Sequence, residues 1–84
     1  MSRAEKTLEQ VLRGAADANI RFDDLRHLLS HLGFEERTRG SSHHIFKRAG
    51  IEEMLNLQKD GAHAKPYQVK QVRTVILKYH LEGP

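Results

Sequence analysis

The sequence predicts a small α+β domain with the element order α-α-β-β-β-α. Apolar residues recur at helical spacing near both ends of the chain, whereas the middle alternates with period two and contains short turns. With 84 residues, 38% of them hydrophobic, the chain can build one modest core, so we expect a single domain over residues 1–84. The helices should pack on one face of an antiparallel sheet.

The first helix is predicted over about residues 3–13. Ser2 and Glu5 have the spacing of a capping box, and Gly14 provides a stop. Leu8, Val11, Leu12 and Ala15 recur at helical spacing. Residues 15–19 then form a short connector.

Two further helices follow from the same reasoning. One begins at Asp23 or the residue before it and ends at Gly33, with a stripe of Leu25, Leu28, Leu29 and Leu32. The other begins at Pro66, a residue favoured in the first helical turn. Its apolar face comprises Val69, Val72, Ile76 and Tyr79, with Val75 beside them.

The central region predicts three strands, over residues 34–38, 43–48 and 51–58. Turns at residues 40–41 and 49–50 are short, which favours an antiparallel meander. Residues 59–65 are predicted to form a polar loop.

Basic charge is concentrated in two blocks. Residues 37–48 contain four basic side chains and no acidic one, and residues 59–78 contain five basic and one acidic. If the two blocks adjoin, they provide a footprint for a polyanion such as RNA. Two ordinary solvated faces are the alternative, given a net charge of only +3.

Several function classes are disfavoured. Without cysteine there is no disulfide framework and no thiolate zinc site. The acidic doublets 35–36 and 52–53 each divide across two strand faces, so carboxylates do not converge on a metal. Neither a glycine-rich phosphate loop nor a serine nucleophile with an acidic partner is recognisable. We expect no cofactor, no metal, no membrane contact and a cytoplasmic location.

Strand alternation separates the two adjacent histidines. His44 shares a face with Phe46, the best core candidate, and is therefore predicted to point toward the helices. His43 then lies on the open face with Lys47. If Arg37 and Arg39 of the preceding strand face the same way, all four side chains are grouped.

Such a group is suited to RNA cleavage without a metal. A neutral imidazole can take the proton of a ribose 2′-hydroxyl, and cations can stabilise the charge that develops on the phosphate. The leaving 5′-oxygen also needs a proton, for which His44, Ser41, Ser42 and water are candidates. An exposed strand histidine without a task is the alternative for His43. His27 and His31, spaced i,i+4, lack a third metal ligand and indicate a solvated helix face.

Three segments together resemble the HicA toxins, small mRNA interferases of type II toxin–antitoxin pairs. They are Leu32-Gly33-Phe34, the turn and strand Arg39-Gly40-Ser41-Ser42-His43-His44-Ile45-Phe46, and the helix over residues 66–78. The resemblance covers about residues 20–81 and implies an α-β-β-β-α fold similar to a double-stranded-RNA-binding domain. Residues 1–19 form an N-terminal helical extension to that pattern.

By the same resemblance, the chain is a toxin that cleaves mRNA with one histidine and is inhibited by a HicB-type antitoxin. The histidine falls on His43, although the doubled motif leaves open whether His44 shares the role. RNA contacts are expected from Arg37, Arg39, Gly40, Ser41, Ser42 and Lys47. A non-catalytic RNA-binding module and a domain that binds an acidic protein are the alternatives. The oligomeric state stays open.

Overall fold

The computed structural model describes residues 2–40 and 42–82. Within these ranges the chain is a small α+β protein with three α-helices and a three-stranded antiparallel sheet, as predicted. The helices are α1 Arg3–Arg13, α2 Phe22–His31 and α3 Pro66–Lys78. The strands are β1 Glu35–Arg39, β2 His43–Lys47, β3 Leu55–Leu57, β4 Lys59–Asp60 and β5 His63–Ala64, and a 3₁₀ turn spans Asp17–Asn19.

Helix α1 has the predicted bounds and caps. The Ser2 hydroxyl accepts a hydrogen bond from the Glu5 amide at 3.1 Å, and Gly14 ends the helix with φ of 72°. Val11 is fully buried in the common core. Arg73 of α3 donates to the Val11 carbonyl at 3.0 Å. The N-terminal helix therefore packs on the rest of the domain as an integral part of it.

Helices α2 and α3 bury the stripes that the sequence predicts. α2 begins at Phe22, one residue before Asp23, and α3 begins at Pro66 as expected. Phe22 is itself fully buried, which explains why the helix starts there. The fully buried stripe residues are Leu25, Leu28, Leu29, Val69, Val72 and Ile76, whereas Leu32 and Tyr79 are half-buried.

The three-stranded sheet is the predicted meander, with β2 in the centre. Its register runs from Glu35 opposite Lys47 to Arg39 opposite His43. Leu57 of β3 lies opposite His44. Strand β1 begins and ends one residue later than predicted, and β2 ends one residue earlier.

Two predictions for the region after β2 are wrong. The third strand covers only Leu55–Leu57, because the chain turns after Arg48 and Glu53 is drawn toward α3, where its carboxylate binds Lys78 and Tyr79. The segment 59–65 is a small hairpin, β4–β5, and not an irregular loop. It is held in place by pairing with the chain just before α2, where the Ala64 amide donates to the Ile20 carbonyl at 2.9 Å.

One face of the sheet is covered by the helices and the other is open. Phe46, Leu55 and Leu57 point into the core and are almost completely buried. We call the opposite surface the open face; it comprises Glu35, Arg37, Arg39, His43, Ile45, Lys47 and Asn56. Among the described helices, none is long and apolar enough to cross a membrane.

Candidate nucleic-acid interface

The open face brings together the four side chains that strand alternation predicts. Directly opposite residues of an antiparallel pair lie on the same face of a sheet. The register pairs Arg39 with His43, Arg37 with Ile45 and Glu35 with Lys47, so that Arg37, Arg39, His43 and Lys47 all lie on this face. All four residues are exposed. The predicted grouping of Arg37, Arg39, His43 and Lys47 on one face is confirmed.

The turn between β1 and β2 positions the two residues at its ends. Gly40 has φ of 65°, a conformation that side chains with a Cβ rarely adopt, and nothing lies within 4 Å of where a Cβ would be. Glycine is therefore favoured at position 40 by the backbone conformation and not by a lack of space for a side chain. Ser42 is exposed in the turn. Ser41, for which an RNA contact is predicted, lies outside the described residues.

His44 points toward the helices, as predicted. Its Nδ1 lies 2.7 Å from Glu36 Oε2, and its ring meets that of Phe22 edge-on with centroids 5.0 Å apart. The side chain is 14% exposed. Its surroundings are those of a packed structural histidine.

Glu36 links His44 to α2. Its carboxylate also accepts hydrogen bonds from Arg26 at 2.9 and 3.1 Å. Partial burial raises the pKa of Glu36, but the hydrogen bonds from Arg26 and His44 outweigh burial, so the pKa lies below its ordinary value. The Glu36 carboxylate therefore lies on the helix side of the sheet, on the opposite face from His43.

His43 is exposed on the open face, directly opposite Arg39. Its ring contacts Gln58, whose amide nitrogen lies 3.2 Å from both Nδ1 and Nε2. Because the two distances are equal, the amide nitrogen is not aligned with the lone pair of either ring nitrogen. The ring nitrogen that carries no proton can then receive one from a ligand in the ring plane.

Gln58 is held in position from two sides. Lys65 Nζ donates to Gln58 Oε1 at 2.8 Å, and the Gln58 backbone amide donates to Gln68 Oε1 at 2.9 Å. Gln68 is buried and also donates to the Asn56 carbonyl at 3.0 Å. Since an ammonium group only donates, the Gln58 oxygen must face Lys65, and its NH₂ group must face His43.

Sequence reasoning missed Gln58 and Lys65 as neighbours of the histidine. Leu57 lies opposite His44, so the next residue, Gln58, lies opposite His43. Strand alternation in the sequence could therefore have predicted the contact of Gln58 with His43. No pattern in the sequence indicates that Lys65, in a segment predicted to be a loop, reaches back to the same point.

A second cationic group occupies the other end of the open face. A surface cavity of about 540 Å³ is lined by Gly33, Glu35, Arg37, Lys47, Arg48 and Ala49. Lys47 lies four residues along β2 from His43, a distance of about 13 Å at the usual strand rise. Lys47 and His43 therefore meet different parts of any ligand on this face.

The cations on and around the open face form no ion pairs in the described part of the chain. No described carboxylate lies within 4 Å of the charged groups of Arg37, Arg39 and Lys47 on this face, or of Arg48 and Lys65 next to it. Elsewhere in the described residues, Arg3, Arg13, Arg26, Arg73 and Lys78 are paired with an acid, whereas Lys6, Arg21, Lys59 and Lys70 are not. Glu35 is the one acidic side chain in the open-face set.

The chain matches no protein-family model, no curated protein and no solved structure. Over the described residues, no group of three histidine, aspartate or glutamate side chains is placed to hold a metal ion. The chemistry of the site is therefore inferred from its own side chains.

Proposed function

We propose that this protein is a metal-independent endoribonuclease that cleaves mRNA, the toxin of a toxin–antitoxin pair. The observation that carries the proposal is the position of His43, exposed opposite Arg39 on a face whose cations have no acidic partner among the described residues. An imidazole beside an unneutralised guanidinium combines a proton acceptor with a phosphate ligand.

In this reaction His43 acts as the general base. It takes the proton of the ribose 2′-hydroxyl, the 2′-oxygen forms a bond to phosphorus, and the bond from phosphorus to the 5′-oxygen breaks. The products are a 2′,3′-cyclic phosphate and a 5′-hydroxyl end. Arg39 donates hydrogen bonds to the non-bridging oxygens as negative charge builds on them. General-base help of this kind contributes about 10²–10⁴-fold to the rate.

The far end of the open face holds a more distant part of the RNA. Arg37 and Lys47 line the cavity there, together with Arg48. At about 13 Å from His43 along the strand, Lys47 engages a phosphate other than the one that is cleaved. Gly40 and Ser42 shape the approach to His43 at the turn, and Ser41 is proposed as a further RNA contact.

The resemblance to HicA toxins supports the same reading. By the resemblance, the motif histidine falls on His43 and the proposed fold is α-β-β-β-α, similar to a double-stranded-RNA-binding domain. Between β3 and α3 this chain also has the β4–β5 hairpin. A HicB-type antitoxin would cover the open face with acidic side chains, since complementary charge accelerates association. The cytoplasm, where mRNA is found, is the proposed location.

A non-catalytic RNA-binding module is the second candidate. The unneutralised cations of the open face are sufficient for binding RNA, whatever His43 does.

Incubation with RNA in EDTA separates the two functions. The purified protein should cut an oligoribonucleotide, leaving cyclic phosphate ends, and should bind without cutting when the ribose at the cleavage site is 2′-deoxy. If the protein binds both oligonucleotides and cleaves neither, the result would support the non-catalytic RNA-binding module and contradict the nuclease. Cleavage that EDTA abolishes, or that persists at the 2′-deoxy position, would contradict the proposed chemistry.

A further inference from the structure

Lys65 and His43 lie on either side of one carboxamide. Lys65 Nζ is 2.8 Å from the oxygen of Gln58, and the nitrogen of Gln58 is 3.2 Å from both ring nitrogens of His43. The carboxamide is similar in width to the O–P–O unit of a phosphodiester. A phosphate in its place would touch the ammonium group on one side and the imidazole on the other.

We infer that Lys65 donates the proton to the leaving 5′-oxygen, and that Gln58 occupies the place of the scissile phosphate in the free protein. This inference rests on the proposed function. The cleavage step needs a proton donor, and the general base that starts the reaction cannot supply one at the same moment.

The other side chains near His43 are less suited to this task. Arg39 retains its protons, because a guanidinium is not deprotonated in proteins. His44 faces the helices and is hydrogen-bonded to Glu36. Lys65 carries a compact ammonium group with three N–H donors, and lysine gives up a proton far more readily than arginine.

Lys65 is also placed where a phosphate is favoured. It occupies the N-cap position of α3, immediately before Pro66. The first turn of this 13-residue helix contains no acidic residue. Pro66 has no N–H, and the Gln68 and Val69 amides donate to the Lys65 carbonyl, so the Tyr67 amide is the one left without a partner in the described part of the chain. Among the described residues, no carboxylate pairs with Lys65, and its recorded partner is the neutral amide of Gln58. A phosphate would satisfy both the ammonium group and the helix end.

The proton balance of the step then closes. One proton passes from the 2′-hydroxyl to His43, and another passes from the Lys65 ammonium to the 5′-oxygen as its bond to phosphorus breaks. The phosphodiester keeps its single negative charge in the cyclic product. Water afterwards takes the proton from His43 and returns one to Lys65, so the enzyme is regenerated without a further reactant.

A substrate with sulfur in place of the bridging 5′-oxygen tests the assignment, because a thiolate leaves without being protonated. Lys65→Met should slow cleavage of the ordinary RNA by about 10²–10⁴-fold. It should cleave the 5′-thio RNA at nearly the rate of the wild type. Lys65→Arg, which keeps the positive charge, should show the same pattern, whereas His43→Ala should be slow on both substrates. Lys6→Met, on α1, serves as the charge-matched control.

Four results would overturn the inference. An equal loss on the two substrates would mean that Lys65 only binds phosphate, and restoration of the ordinary rate by Lys65→Arg would mean that charge alone matters. Unchanged cleavage by Lys65→Met would remove Lys65 from the reaction, while the proposed function would stand. A wild type that cuts neither RNA would overturn the proposed function and the inference with it.

Discussion

Arg39 and His43 are directly opposite each other at the end of the β1–β2 hairpin, on either side of the Gly40 turn. The pairing requires no long-range packing, because one short turn fixes both residues. It places the two residues next to each other on the uncovered side of the sheet. Gln58, directly after β3, contacts the His43 ring there.

The first prediction concerns Arg39. Arg39→Ala should lower the rate constant of RNA cleavage by about 10²-fold, since it removes a donor to the developing phosphate charge. The rate constant of Arg39→Lys should lie between those of the wild type and Arg39→Ala, because an ammonium group keeps the charge but loses the planar fork of donors. Single-turnover kinetics with saturating enzyme measure this step. Arg13→Ala, on the exposed side of α1, is the matched control, and an equal loss in that variant would point to net charge alone.

The second prediction concerns Lys47. Lys47→Ala should lower the magnitude of the slope of log affinity against log salt concentration by about 1, which corresponds to the loss of one phosphate contact. The cleavage rate at saturation should change little. Fluorescence anisotropy of an uncleavable 2′-deoxy oligonucleotide between low and moderate salt gives the slope. Lys6→Ala should leave it unchanged. A Lys47→Ala slope equal to that of the wild type would remove this residue from the RNA contact.

The third prediction separates the two histidines. His44→Ala should lower the free energy of unfolding by about 2 kcal/mol, through loss of the Glu36 hydrogen bond and of the contact with Phe22. At a temperature where it is folded, this variant should still cleave RNA. Urea unfolding and the cleavage assay measure the two effects. His27→Ala, at an exposed position of α2, should change neither quantity, and a folded but inactive His44→Ala would show that His44 shares the chemistry.

The fourth prediction concerns stability at low pH. Hydrogen bonds from Tyr79 and Lys78 lower the pKa of Glu53 from 4.5 to about 2. A carboxyl whose folded pKa is depressed stabilises the protein above its unfolded pKa, and this contribution is lost as the pH falls from 4.5 toward 2. Glu53→Gln should therefore flatten the dependence of unfolding free energy on pH in that window.

The control for this pH effect is the neighbouring glutamate. Glu52 is exposed, and its side chain forms no ion pair within the described residues, so Glu52→Gln should retain the wild-type pH profile. Tyr79→Phe removes the first cause of the shift and should give a profile between those of the wild type and Glu53→Gln. Identical profiles for all four proteins would contradict the assignment.

Much of the fold can be read from local signals in the sequence. Ser2, Gly14 and Pro66 mark helix ends by their own backbone and hydrogen-bonding preferences, so those boundaries were predicted correctly. The third strand was predicted too long, because alternation alone cannot show that Glu53 is drawn to α3 by Lys78 and Tyr79.

The same distinction applies to the site. His43 and Arg39 are close in sequence, and one turn with strand alternation is enough to place them together. Lys65 follows the β4–β5 hairpin and precedes α3. It reaches the site only because this hairpin pairs with the chain just before α2. A contact that depends on this tertiary pairing has no local signature, so sequence reasoning left the position of Lys65 undefined.

The most direct test of the account is the single-turnover rate of RNA cleavage by His43→Ala in EDTA, compared with the wild type and with His27→Ala. The account predicts a loss of about 10²–10⁴-fold for His43→Ala, unchanged RNA binding and no loss for His27→Ala. Cleavage by a folded His43→Ala variant at the wild-type rate would contradict it.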